Sequence, residues 1–236
     1  HGGKLYQVLE FDYKRAVVTQ IPKYLRLETK PIWRSEPVDF TPVKKRKVYG
    51  IPVTYGKMII EHVVYGYKTR DFVTKHVISE TMLESPLKYR FETRGIAFQL
   101  PMDPEWDLED AASAAHAAEH VIISAAQTVV GADSAEMGGI SYPDGTIFVY
   151  DGAVGGSGLT LLLLERLEMA MKVALKILIS CKCRGDGCPL CVYDYYCGND
   201  NKFLSKTKAI RLLRKVIELG MKTKAVRSPG IGEPIS

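Results

Sequence analysis

The stretch CKCRGDGCPLCVYDYYC, residues 181–197, contains all five cysteines of a 236-residue chain. Thiols this close together are bridged to one another, poised to react, or gathered around a metal ion. Each option constrains the C-terminal fold differently. A disulfide framework belongs to small chains in oxidising compartments. Here the N-terminus shows no basic, apolar, small-residue leader, so the expectation is a cytoplasmic protein with free thiols. A redox pair of the thioredoxin kind needs one CxxC at a helix start, whereas Pro189 sits inside CPLC and three more thiols crowd it. A tetrahedral Zn²⁺ explains the clustering directly, because it takes four soft ligands and short glycine-bearing loops let the backbone curl round it. In GDGCPLC, Gly185 and Gly187 turn the chain so that Cys188 and Cys191 face inward. Cys183, Cys188 and Cys191 fill three positions by spacing, and Cys181 and Cys197 compete for the fourth. A site closed by four thiolates leaves no position for water, so the ion is expected to be structural and worth on the order of 10 kcal/mol.

The rest of the chain can build a core around such a loop. It is 46% hydrophobic and 25% charged, the make-up of a globular protein. The most apolar helical region, 158–180, is interrupted by Glu165, Arg166, Glu168, Lys172 and Lys176, so it is expected to pack against a core and not to span a membrane. KLYQVLEF and AVVTQI alternate as the two arms of a hairpin. Residues 22–56 hold five of the twelve prolines, which suggests loops and edge strands. MIIEHVVYGYKTRDF and LKYRFETRGIAFQL return to strand composition. A boundary is expected at PMDPEWD, 101–107, ahead of a helix over 107–130 with Asp107 as N-cap. TIFVYD, 146–151, reads as a buried strand leading through a glycine loop into a helix over 159–180. A last helix is expected over 206–219, capped by Ser205 and ended by Gly220. The fold class is therefore α+β. It comprises a β-rich subdomain over 1–100, an α/β zinc-binding subdomain over 101–220 with a strand–glycine-loop–helix unit and a four-cysteine knuckle, and a flexible tail over 221–236.

Two further motifs invite chemistry. HAAEH places His116 and His120 on one helical face with Glu119 beside them, the pattern of an inverted zinc peptidase. An alanine-rich helix with two satisfied imidazoles explains the same residues, and no downstream acidic ligand stands out. DGAVGGSG fits neither a P-loop, since Leu159 follows Gly158 where lysine is required, nor GxGxxG. Its backbone amides are left with two uses: one phosphate of a nucleic acid backbone, or a tight turn that needs glycine. Asp151, at the strand end, is a candidate helix cap.

The net charge of +5 hides an uneven distribution. Residues 1–100 carry 18 Lys and Arg against 10 Asp and Glu, residues 101–180 carry 3 against 12, and residues 181–236 carry 11 against 5. Basic ends flanking an acidic middle suit a nucleic-acid-binding face or a docking surface. Lys44, Lys45, Arg46 and Lys47 form the densest basic cluster and are the candidate phosphate contacts, in a stretch whose neighbouring Pro42 suggests a loop.

Taken in order, HGGKLYQVLEFD, VVYGYKTR, FETRGIAFQLP, HAAEH, TIFVYDGAVGGSG and CKCRGDGCPLCVYDYYCGNDN resemble the C-terminal region of superfamily 2 DNA helicases of the MrfA type, relatives of the RecQ-like Hrq helicases of fungi. The resemblance covers residues 1–219 and ends in the MrfA zinc-binding domain. It implies a parent ATP-dependent DNA helicase, active in DNA repair, whose RecA-like motor domains lie upstream. This chain would be an accessory domain with no catalytic site of its own, partnered by those motors and by single-stranded DNA, with ATP entering only through the motors. The family pattern of CxC, four residues, CxxC falls on Cys181, Cys183, Cys188 and Cys191 and leaves Cys197 spare. The rival readings are a zinc peptidase using His116 and His120, and a stand-alone protein-interaction module.

Overall fold

Alternating side chains at the N-terminus form strand β1 (Leu5–Phe11), paired antiparallel with β2 (Ala16–Ile21) in the computed structural model, which describes residues 2, 4–12, 14–22 and 25–227. Three long strands follow: β3 (Leu27–Val48), β4 (Ile51–Asp71) and β5 (Val77–Gln99). The proline-rich stretch 22–56 is thus mostly continuous strand, contrary to the loops its composition suggested. The sheet order β3-β4-β5-β7-β6 explains why. β3 lies at an edge, where a missing N–H is tolerated on the unpaired side. The connection from β3 to β4 is a two-residue turn in which Tyr49 (φ 50°) and Gly50 (φ 83°) both take positive φ, as a type I′ hairpin requires.

The helices and the last two strands complete the architecture. Helix α1 (Leu108–Val130) starts where Asp107 accepts from the amide of Asp110. Strand β6 (Met137–Ser141), which its Gly-Gly pair hid from pattern reading, lies antiparallel to β7 (Thr146–Asp151), and β7 in turn pairs antiparallel with β5. Helix α2 (Leu159–Ser180) follows the glycine loop. Helix α3 (Lys206–Arg227) runs past Gly220, which is not a terminator. A Cβ at position 220 would lie 2.6 Å from the Cα of Tyr49, so glycine there admits the β3–β4 turn against the helix. Of the tail expected to be flexible, Met221–Arg227 is helical and 228–236 lies outside the described residues.

The chain gathers into two compact units. One comprises the residues up to Arg34 together with Val63–Lys88. The other comprises Ser35–His62 and the chain from Tyr89 onward. Residues 35–62 and 89–100 therefore share a unit with the helices and the cysteines, and not with the rest of the first hundred residues. This second unit holds the main core. Ala114, Ala117, Ala118, Ala125 and Ala126 of α1 are completely buried. Side chains this small permit neighbouring helices to pack at the near end of the usual ~8–10 Å separation. On α2, Leu163, Leu164, Leu167, Ala170, Met171, Ala174 and Leu178 form the buried stripe at helical spacing. No helix among the described residues is long and apolar enough to cross a membrane.

Candidate metal centre

Helix α2 ends at Ser180, and Cys181 leaves it in extended conformation while still donating its amide to Ile177 O. The chain then reverses through Gly187, whose φ of 137° a side chain would strain and whose Cβ would press on Val192 at 3.0 Å. The amides of Cys191, Val192 and Tyr193 all converge on the carbonyl of Cys188 at 3.0–3.2 Å. This winding carries Cys188 and Cys191 back over Cys181 and Cys183.

The four sulfurs lie within 4.8 Å of one another. Cys181 Sγ is 3.5 Å from Cys188 Sγ, Cys183 Sγ is 3.6 Å from Cys191 Sγ, and Cys188 Sγ is 3.8 Å from Cys191 Sγ. A tetrahedron with Zn–S bonds of about 2.3 Å has S···S edges of about 3.8 Å. The donor set therefore fits a four-thiolate zinc ion in chemistry and in spacing. Backbone hydrogen bonding from Cys183 draws the Cys181 thiol down to about 7, and burial pushes Cys191 up to about 12. Four thiolates this close would repel one another, so holding all four deprotonated would need a cation among them.

Protein charge contributes to that requirement. Lys206, the first residue of α3, is buried, and its Nζ donates to Cys181 O at 2.6 Å and to Cys183 O and Cys183 Sγ at 3.4 Å. Sequence reading passed over Lys206. Its only signal is a lysine at a helix start, where the dipole disfavours a cation unless an anion faces it.

Cys197 lies outside this group. Its Sγ is 3.6 Å from His116 Nε2 and accepts the amide of Asn201 at 3.3 Å. His116, His120 and Cys197 bring their ligand atoms within 4.8 Å of one another, a second group capable of holding an ion. The two rings stand edge to face at 4.4 Å. Burial holds His116 below its ordinary pKa, and burial together with the neighbouring His116 takes His120 down to about 3. Glu119 faces elsewhere. Its carboxylate accepts from Ser141 Oγ at 2.9 Å, and burial raises it to about 8. A glutamate enclosed in this way is not presented to a peptide substrate.

The remaining motifs have structural partners. Asp151 is wholly buried, and its carboxylate accepts from the amides of Ser157, Gly158 and Thr160 at 2.8–2.9 Å. An anion already occupies the N-terminus of α2, which overturns the phosphate reading of the glycine loop. The basic cluster 44–47 lies in strand β3 and not in a loop. Lys44 and Arg46 both pair with Glu165 of α2, at 2.6 and 2.7 Å, and Arg46 also donates to Glu165 O. The alternation of the strand leaves Lys45 and Lys47 exposed on the other face.

An α+β unit whose C-terminal end winds four thiols to the corners of one tetrahedron defines a zinc-binding domain. The profile of the MrfA Zn-binding domain matches residues 118–192, from the middle of α1 through Cys191. The chain belongs to the family that carries this MrfA-type domain. It is 42% identical over 111 residues to an uncharacterized protein of Methanocaldococcus jannaschii, an alignment covering 43% of this chain and 98% of that protein. Its fold is similar to that of the DUF1998 helicase MrfA. The crystal structure of MrfA bound to DNA superposes with a TM-score of 0.58 at 18% identity, covering 91% of this chain and 29% of that one. A second MrfA crystal structure gives 0.55 at 17% identity, covering 91% and 28%. This chain thus spans under a third of the helicase's length.

Proposed function

We propose that this chain is the accessory domain of an ATP-dependent superfamily 2 DNA helicase acting in DNA repair in the cytoplasm, with one structural Zn²⁺ held by Cys181, Cys183, Cys188 and Cys191. Its work is to scaffold the motor domains of the same polypeptide and to guide single-stranded DNA. The observation that carries this reading is the tetrahedral spacing of four thiols inside a domain of the MrfA type. The likeness of fold to MrfA, whose crystal structure holds DNA, supports the DNA half of the proposal. The ion ties the end of α2 to the start of α3, since Cys181 follows one helix and the Lys206 ammonium holds the knuckle from the other.

Phosphate contacts come from exposed basic residues such as Lys45 and Lys47. Lys44 and Arg46 are engaged by Glu165 and set the strand against α2. Binding of this kind is independent of sequence and falls steeply with salt.

Three measurements test the proposal. Elemental analysis of the purified chain should find zinc, one equivalent of which Cys188→Ser removes; a metal-free chain with paired disulfides overturns the metal centre. Affinity for a labelled oligothymidylate should drop between low and physiological salt and weaken further in a Lys45→Glu/Lys47→Glu variant. No salt-dependent affinity would favour a protein adaptor. The coding sequence upstream should contain GxxxxGK[ST], and its absence overturns the helicase assignment.

A further inference from the structure

We propose that His116 and His120 of α1, together with Cys197 of the loop that leads into α3, bind a second zinc(II) ion separate from the four-cysteine centre. His116 and His120 are four residues apart on one face of the helix, and Cys197 closes on them from 77 residues farther along the chain. An ion with Zn–S near 2.3 Å and Zn–N near 2.05 Å separates sulfur from nitrogen by about 3.5 Å. Cys197 Sγ and His116 Nε2 stand 3.6 Å apart.

The second observation is the orientation of the rings. His116 Nδ1 lies 3.2 Å from Phe203 O, and His120 Nδ1 lies 2.9 Å from Val192 O. A carbonyl only accepts, so in both rings Nδ1 carries the proton and donates. The lone pair is thereby fixed on Nε2 in both. Ligating histidines are oriented in this way, with the far nitrogen bound to a backbone carbonyl or carboxylate. The cysteine is held equally firmly. Asn201 donates Nδ2 to Asp194 O and accepts the Asp194 amide on Oδ1, both at 2.8 Å, while its own amide points at Cys197 Sγ.

The donor set differs from that of an inverted peptidase, because the third ligand is a thiolate and Glu119 is spent on Ser141. Binding is a ligand exchange: the Cys197 S–H proton leaves to solvent, and the two neutral imidazoles and the thiolate displace five of the six waters of the aqueous ion as it becomes four-coordinate. One water completes the tetrahedron. Because His120 bonds to Val192, the residue after Cys191, the ion would brace the knuckle from the α1 side.

The test uses the whole chain loaded with zinc(II) and then dialysed. Two zinc ions per chain are expected, with His116→Gln and Cys197→Ser each losing one and Cys188→Ser losing the other. In cobalt(II) titration of metal-free protein, the second equivalent should add a weaker sulfur-to-metal charge-transfer band, one thiolate against four, and this band should vanish in Cys197→Ser. Circular dichroism of His116→Gln, a side chain that is only half-buried, reports whether the variant keeps its fold. A wild-type zinc content unchanged in both His116→Gln and Cys197→Ser overturns the second site and leaves the four-cysteine centre standing. A content unchanged only in Cys188→Ser overturns the four-cysteine centre and leaves this one.

Discussion

The ammonium of Lys206 lies 3.4 Å from the sulfur of Cys183 and 2.6 Å from the carbonyl oxygen of Cys181, so one buried cation touches both the sulfur and the backbone of the knuckle. Four thiolates around a dication keep a net negative charge, and Lys206 offsets part of it in a desolvated position where charge-assisted bonds are strong. Lys206→Met should lower zinc affinity roughly 10–100-fold, the range found for partners that orient metal ligands. Competition against a chromophoric chelator measures this. Lys208→Met, which removes the pair with Asp110, should leave the affinity unchanged.

Asp151 replaces a helix cap with a buried carboxylate serving three amides of the α2 N-terminus. Asp151→Ala leaves those amides without a partner and should cost about 3 kcal/mol, since bonds to charged groups contribute ~1.5–3 kcal/mol each and the losses overlap. Thermal unfolding should report the loss at unchanged zinc content. Inorganic phosphate should not raise the melting temperature of the wild type.

Gly220 poses a test of sign. In an exposed helix Gly→Ala stabilises by about 1 kcal/mol. Here the added methyl would meet the backbone of Tyr49, and overpacking of that kind costs about 1–3 kcal/mol. Gly220→Ala should therefore lower stability in urea denaturation. A Tyr49→Gly background removes the ring and Cβ contacts but keeps the Cα 2.6 Å away, so it should reduce the loss without restoring the ordinary gain.

His62 gives a pH dependence with a definite direction. Its Nδ1 is 2.7 Å from Ser35 Oγ, which also accepts from the hydroxyl of Tyr150 at 3.2 Å. Burial lowers its pKa below the ordinary 6.5. A depressed folded-state value means that the stability is present above the unfolded value and is lost as pH falls through the folded one. His116 and His120 act with the same sign, so the His62 share is a difference between variants. The urea midpoint of the wild type should fall more between pH 7 and pH 5 than that of His62→Gln. Equal falls would assign the whole slope to the other histidines.

Much of this molecule was legible because local chemistry dictates it. Asp107 and its spacing to Asp110 announce the start of α1, and the apolar run 146–151 gives β7. The crowding of thiols announces a metal, since few other arrangements keep five cysteines free and close. What misled were signals whose meaning depends on place. Proline marks a loop in isolation but is tolerated at a sheet edge, as along β3. Glycine ends a helix by its conformational freedom, yet at 220 it serves close packing.

The sequence alone determined the α+β class, the caps and turns set by nearest neighbours, and the stock of soft ligands in residues 181–197. Only the tertiary structure decided which thiols share a tetrahedron, that Cys197 turns instead to His116 and His120, and that Lys206 faces Cys183. These are relations between residues up to 81 positions apart. The physical reason is that short-range order follows from backbone torsions and hydrogen bonds a few residues apart. Convergence of distant side chains follows only once α1, α2 and α3 have packed around their common core.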